Sequence, residues 1–364
     1  MIPFPFHLRP EEALRELTEL NRKVVHGIES LSRIRNEDLR GSVSPKEEIY
    51  REDNLALYRF TPMVEQPFQV PILIVYALVN RPYMVDLQEN RSLVRNLLKL
   101  GMDVYLIDWG YPGRGDRWLT LDDYINGYIN DCVDIVRVRH GLERINLLGI
   151  CQGGTFSLCY TALHPEKVKN LVTMVTPVDF HVQDGLLNQW AGCTPGTDSI
   201  DVDLLVDAFG NIPGAFMNFG FLMMKPFQLG LGKYLEMIDI LDNEEKLLNF
   251  LRMEEWIFDS PDQAGEAFRQ FVKDFYQGNK LIKGEVRIGT KPVDLSTIRA
   301  PVLNVYAEQD HLVPPASSIA LERHIGTTDY TVRSFPVGHI GMYVSGKVQH
   351  DLPPTIANWL QERG

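Results

Sequence analysis

Long apolar runs are missing from this chain of 364 residues, and no uncharged apolar run approaches the roughly 18 residues needed to cross a bilayer. Basic charge is also scarce: 36 Lys and Arg face 48 Asp and Glu, a formal net charge of −12. No basic stripe is visible, which argues against nucleic acid as the main partner. A small anionic substrate is still compatible, because a local basic pocket can sit within an acidic whole. Cysteine is sparse. Cys132, Cys151, Cys159 and Cys193 are too few for a disulfide framework, and no C-x-x-C or Cys/His spacing suggests zinc. The opening MIPFPFHLRPEEALRE has prolines and carboxylates where a secretory signal carries basic residues and an apolar run. The expectation is a soluble protein of a reducing, cytoplasmic compartment.

What is present is ordinary for a folded enzyme: 45% apolar and 10% aromatic residues, in a chain long enough for one large domain with an insertion or for two domains. Leu14, Leu17, Leu20, Val24, Ile28 and Leu31 recur every three or four residues, predicting an amphipathic helix over 10–33. It packs on the body or docks a partner. Residues 55–60 read as an edge strand. PILIVYALV (71–79), DVYLIDW (103–109), INLLGI (145–150), NLVTMVTPV (170–178) and PVLNVYA (301–307) are apolar runs of buried-strand type. Helical segments are expected at 92–100, 121–140 and 155–163. Alternation of this kind predicts a parallel sheet covered by helices on both faces. The pattern breaks between 179 and 300, a segment too long for a loop and too apolar for a linker. The expected organisation is an N-terminal helical segment (1–45), a core (46–178 and 301–364) and a mainly helical cap (179–300).

Gly149-Ile150-Cys151-Gln152-Gly153-Gly154 follows one of these strands and opens a helix. This is the nucleophile-elbow pattern G-x-S-x-G with cysteine in place of serine. The turn is so tight that a side chain at 149 or 153 would strike the adjoining strand and helix. The sulfur is thereby held at a helix N-terminus, which favours thiolate, and the Gln152 N–H faces a developing oxyanion. The order of this fold is nucleophile, acid, histidine. Asp310, in VYAEQDHLVPP just after a late strand, is the expected acid, and His339, in SFPVGHIGMY, the expected histidine. Gly338 is read as allowing a sharp turn before it. His311 is too close to Asp310 to pair with it, and His350 falls in a polar turn. A second oxyanion donor is expected from the loop after 71–79, near Asn80. Arg81 in that loop pairs with an anion or with a carboxylate of the body. Cys132, Cys159 and Cys193 are expected to be inert.

LGICQGG, VYALVNRPYMVDLQ, VYLIDWGYP, LTLDDYINGYI, VTMVTPVDF, FGNIPG, MEEWIFDSPDQAGEAFRQF, QDHLVPP and GHIGMYVSGK together resemble class III polyhydroxyalkanoate synthases, from about residue 43 to the C-terminus. The resemblance implies an α/β-hydrolase fold with an inserted cap and an acyltransferase that polymerises (R)-3-hydroxyacyl-CoA, with 3-hydroxybutyryl-CoA the expected substrate. It implies that Cys151 is acylated and that His339 is its general base. Asp310 is the family's catalytic aspartate; it orients His339, or the pair activates the incoming hydroxyl. No cofactor is implied, since coenzyme A enters as part of the substrate. Implied partners are the growing polyester, the granule surface and a second, non-catalytic subunit, in a homodimer or hetero-oligomer. Phe209, Phe216, Phe219, Phe221, Met223 and Met224 form a water-excluding lid or ordinary packing within the insertion. An alternative keeps the triad but passes the acyl group to water, as a hydrolase or intracellular depolymerase.

Overall fold

The computed structural model describes residues 10–39, 41–182, 185–191, 200–224, 226–227 and 232–364. Its contacts divide the chain into two units, residues 42–217 with 259–364 and residues 1–41 with 218–258. This division cuts across the expected cap: 179–217 and 259–300 belong to the unit that holds the sheet.

The sheet unit is built on eight strands: β1 (Lys46–Glu52), β2 (Leu55–Phe60), β3 (Ile72–Val75), β4 (Val104–Asp108), β5 (Ile145–Ile150), β6 (Val168–Met174), β7 (Val302–Ala307) and β8 (Tyr330–Phe335). Their order is β1-β2-β4-β3-β5-β6-β7-β8. β1, β2 and β4 pair antiparallel, and the remaining neighbours run parallel. Every residue of β3 and β5 is buried, as an apolar run covered on both faces requires. β2 is not the edge. That place belongs to β1, KEEIYRE, a charged segment in which no strand was expected. The same charges suit an edge, because they discourage pairing with another chain.

The strands stop earlier than their apolar runs suggest. β3 ends at Val75, so Tyr76–Val79 form the loop above the sheet, and β6 ends at Met174. The helix expected at 121–140 is a π-helical segment, Asp123–Ile129, running into an α-helix, Asn130–His140, which Gly141 closes at φ 63°. Residues 265–277 stay with the sheet unit because their aromatic rings do. Phe271 meets Phe156 of the helix Gln152–Leu163 edge to face at 5.8 Å, and both Phe271 and Phe275 contact Phe180.

In the other unit, the helix Pro10–Arg33 forms as expected, but its apolar stripe is exposed: Leu14, Leu17, Leu20, Val24, Ile28 and Leu31 all face outward. Its small-residue side makes the internal contact instead, with Gly27 against Leu241 and Ser30 buried. Among the described residues, no helix is long and apolar enough to cross a membrane.

Arg59 of β2 grips Asp103, just before β4, through two hydrogen bonds of 3.0 and 2.8 Å. The carboxylate is 1% exposed. Arg59→Ala strands that buried charge and is expected to cost about 3 kcal/mol, read as a lower denaturant midpoint. A change under about 0.5 kcal/mol would show that the pair does not hold this strand junction.

Candidate active site

The turn from β5 into the helix Gln152–Leu163 places Cys151 at φ 55°, ψ −125°, a conformation that side chains other than glycine rarely occupy. The surroundings hold it there. Its N–H donates to the Met174 carbonyl of β6 at 2.9 Å, and its own carbonyl accepts from the Gly154 N–H at 2.9 Å. The expected intolerance of side chains at 149 and 153 is borne out. A Cβ on Gly149 would lie 2.5 Å from the Gly154 Cα, and one on Gly153 would enter the backbone of Val75 and Tyr76. Gly154 is equally constrained, by the side chain of Thr176, a contact between sequence-distant residues that the motif does not announce. The sulfur is thus half-buried at the end of a parallel strand, next to a helix start.

Asp310 follows β7. Its Oδ1 accepts from the N–H groups of Leu312 and Val313, each at 2.9 Å, which orients the carboxylate from behind. Its Oδ2 lies 2.7 Å from His339 Nδ1. Nδ1 is therefore the proton-bearing nitrogen in this pair, leaving Nε2 for the thiol. Both side chains are buried. Burial pushes the imidazole pKa down, but Asp310 and Cys151, through charge and hydrogen bonds, outweigh it, and the net shift is upward. The three residues picked out from sequence are brought together.

Two details of the sequence reading need correction. Gly338 does not adopt a left-handed conformation, and a Cβ there would meet only the Gln309 carbonyl at an ordinary 3.5 Å. The turn before His339 is set by backbone bonds instead, Val337 N–H to Phe335 at 2.8 Å and Gln309 N–H to Val337 at 3.0 Å. His350 is not in a turn but on the helix Gly346–Gln361, exposed and 2.6 Å from Asp351.

On the oxyanion side, Gln152 opens its helix, so its N–H has no partner within that helix. Its side chain has a second task that sequence did not suggest: Oε1 accepts from the Leu78 N–H at 3.0 Å, tying the loop after β3 to the elbow. With Leu78 engaged, its N–H is not the second donor. Asn80 follows at φ 59° and is buried, which keeps it as the candidate. Arg81 pairs with Asp108 at 2.8 Å and lies over the Tyr111 ring at 4.2 Å, the carboxylate alternative. Val175, just after β6, is strained at φ 46°, so three non-glycine residues around the turn carry unfavourable backbone.

Cys132 and Cys159 are fully buried, and burial pushes both thiols up, Cys159 to about 12. Neither is a thiolate at working pH. Cys193 lies outside the described residues. Of the proposed lid, Phe209, Phe216, Phe219 and Met223 are exposed and Met224 is buried.

The electrostatics give a signed expectation. A folded pKa above the ordinary histidine value near 6.5 adds stability that is complete below that pH and disappears as pH rises through the folded value. The stability gap between the parent and His339→Gln should therefore be widest in mild acid and close in alkali. By NMR, Asp310→Asn should lower the His339 pKa more than Cys151→Ser does, since the Asp310 charge acts more strongly. The reverse order would mean that the thiolate, not the carboxylate, dominates.

Known proteins can now be set beside this geometry. The model described as "alpha/beta hydrolase fold" matches residues 70–345, and "Poly-beta-hydroxybutyrate polymerase (PhaC) N-terminus" matches residues 41–97. The poly(3-hydroxyalkanoate) polymerase subunit PhaC of Synechocystis sp. is 64% identical over 364 residues, covering 100% of this chain and 96% of its own. That of Allochromatium vinosum is 56% identical over 362 residues, covering 99% and 100%. Among solved structures, a hydrolase of Pseudomonas aeruginosa aligns at TM-score 0.52 and 14% identity, covering 88% of this chain and 99% of its own. The Paleococcus ferrophilus monoacylglycerol lipase aligns at 0.50 and 16%, covering 85% and 99%. Those two likenesses speak for the fold alone. On whole-length identity the chain belongs to the poly(3-hydroxyalkanoate) polymerase family, built on the α/β-hydrolase fold.

Proposed function

We propose that this chain polymerises hydroxyacyl-CoA into a polyester through a thioester on Cys151, with His339 as base and Asp310 as its orienter. The observation that carries the proposal is the buried Asp310–His339 pair beside a strained cysteine, in a chain that is full-length kin to polymerases. In the first step the Cys151 sulfur attacks the carbonyl carbon of the CoA thioester, and the C–S bond to coenzyme A breaks. The departing thiolate takes its proton from the His339 imidazolium. One thioester replaces another, so little free energy is lost. In the second step neutral His339 takes the proton of a hydroxyl on another hydroxyacyl unit. That oxygen attacks the acyl-Cys151 carbonyl, an oxygen ester forms, and the Cys151 thiolate returns. Ester formation from a thioester is downhill and draws the chain forward.

Asp310 has one oxygen on two backbone N–H groups and the other on His339, which supports action through the imidazole and not directly on the hydroxyl. The route uses only a thiol and an imidazole, with coenzyme A as leaving group and no separate cofactor. The finer substrate reading, 3-hydroxybutyryl-CoA, comes from the motif resemblance, as do a second, non-catalytic subunit and a granule surface. The outward stripe on the helix Pro10–Arg33 supports an apolar partner for that helix.

Mass spectrometry of the protein after exposure to 3-hydroxybutyryl-CoA should find the acyl group on Cys151. Cys151→Ala should slow CoA release about a thousandfold or more without loss of folding. Free hydroxy acid in place of polymer would turn the reading towards a hydrolase, and undiminished release from Cys151→Ala would remove the nucleophile.

A further inference from the structure

Two buried tyrosines lie close enough to Cys151 to feel its charge, and the mechanism above uses neither. Tyr76 begins the loop after β3; its carbonyl accepts from Trp109 Nε1 at 3.0 Å, and its backbone is what bars a side chain at Gly153. Tyr343 lies four residues beyond His339 on the short helix Gly341–Val344, whose carbonyls are held by the buried Gln349, with Nε2 donating to Tyr343 at 2.9 Å and to Met342 at 3.2 Å. The rings meet edge to face at 6.3 Å between centroids, and the Tyr343 ring is also 6.3 Å from that of His339. Both residues are buried, Tyr343 to 1% exposure.

The Tyr343 hydroxyl is buried and, among the described residues, has no hydrogen-bond partner. The Tyr76 phenol is close enough to act on the ionisation of Tyr343 partly as a hydrogen-bond partner would, but the two oxygens do not meet in full hydrogen-bond geometry. Burial first, then Tyr76, Cys151 and Asp310, push the Tyr343 pKa well above its ordinary value. The phenol is thus a permanent proton donor. A buried donor without an acceptor destabilises a fold, and nothing in the local packing needs it: phenylalanine would fill the same space. Such a group, fixed on its backbone beside a nucleophile, is suited to an oxygen that arrives with the substrate.

We infer that Tyr343 is a specificity-determining residue whose hydroxyl donates a hydrogen bond to the oxygen on the β-carbon of the acyl group presented to Cys151. That oxygen is the feature that separates a 3-hydroxyacyl thioester from a plain acyl thioester. A site holding a buried donor for it penalises the analogue that lacks it, because the donor is then left unsatisfied in the complex as well. The hydroxyl of one unit, once esterified, still offers an oxygen at this position, so the same contact serves every round of chain growth.

The inference rests on Cys151 being the acylated residue, and the test separates the two. First-turnover CoA release and Cys151 acylation are measured with 3-hydroxybutyryl-CoA and with butyryl-CoA, in the parent and in Tyr343→Phe. The parent should favour the hydroxy substrate, and the variant should lose that preference by about tenfold or more, through slower reaction with 3-hydroxybutyryl-CoA alone. Where butyryl-CoA reacts too slowly to measure, calorimetric binding of both thioesters to Cys151→Ala, with and without Tyr343→Phe, gives the same ratio. The melting temperature of Tyr343→Phe should equal or exceed that of the parent, since an unpaired hydroxyl is removed. An equal loss for both substrates would make the phenol an oxyanion donor and overturn the inference. So would an unchanged preference, as for a hydroxyl satisfied by water, or a large fall in melting temperature. Absence of any acyl group on Cys151 in the parent would instead bring down the proposed function.

Discussion

A cysteine with a left-handed φ is an unfavourable thing to build, and the site depends on the surroundings that impose it. Three glycines make room: the Thr176 side chain fills the space beside Gly154, the backbone of Val75 and Tyr76 that beside Gly153, and the helix start that beside Gly149. The N–H of Cys151 is tied to β6, so the turn cannot relax without breaking the sheet at its centre. Strain concentrated at Asn80, Cys151 and Val175 is held by the buried strands below, where every residue of β3 and β5 is inaccessible to water. Stability made in the core is what keeps the sulfur presented.

The second constraint is electrostatic, and it opposes burial. A histidine enclosed as His339 is would ordinarily be neutral. Asp310 and Cys151 reverse this, so an imidazolium can persist where water is scarce. That balance suits the proposed cycle, in which His339 protonates a leaving thiolate and then, neutral again, deprotonates a hydroxyl. Asp310 is held by two backbone N–H groups before it touches the imidazole. The geometry is therefore preset and does not wait for substrate. The surrounding phenols extend the idea: Tyr76 and Tyr343 are kept protonated by burial and by the negative charge at the site.

Much of the site was legible because its parts are local patterns with local causes. The tight G-I-C-Q-G-G turn, the aspartate after a late strand and the histidine after the next each announce themselves in a few neighbouring residues, and all three meet in space. Strand positions were legible from apolar runs, but their ends were not. An apolar run continues wherever burial continues, and the loop Tyr76–Leu78 is buried like the strand before it, if not quite so completely. The edge strand β1 was missed for the opposite reason, since its charges serve its exposed position and mask its periodicity. Gly338 misled because a glycine in a turn suggests a special conformation that its backbone does not adopt.

What the sequence located by itself is the three candidate groups that meet at the elbow, because spacing along the chain carries the strand–turn–helix logic and the order in which they occur. The sheet order, the tie from Gln152 Oε1 to Leu78, the assignment of 265–277 to the sheet unit and the meeting of Tyr76 with Tyr343 were decided only in three dimensions. Each joins residues far apart in the chain through packing of common side chains, a glutamine, a phenylalanine or a tyrosine. No local pattern marks which of the 17 phenylalanines or 14 tyrosines will be neighbours. Close packing selects them when the chain is folded.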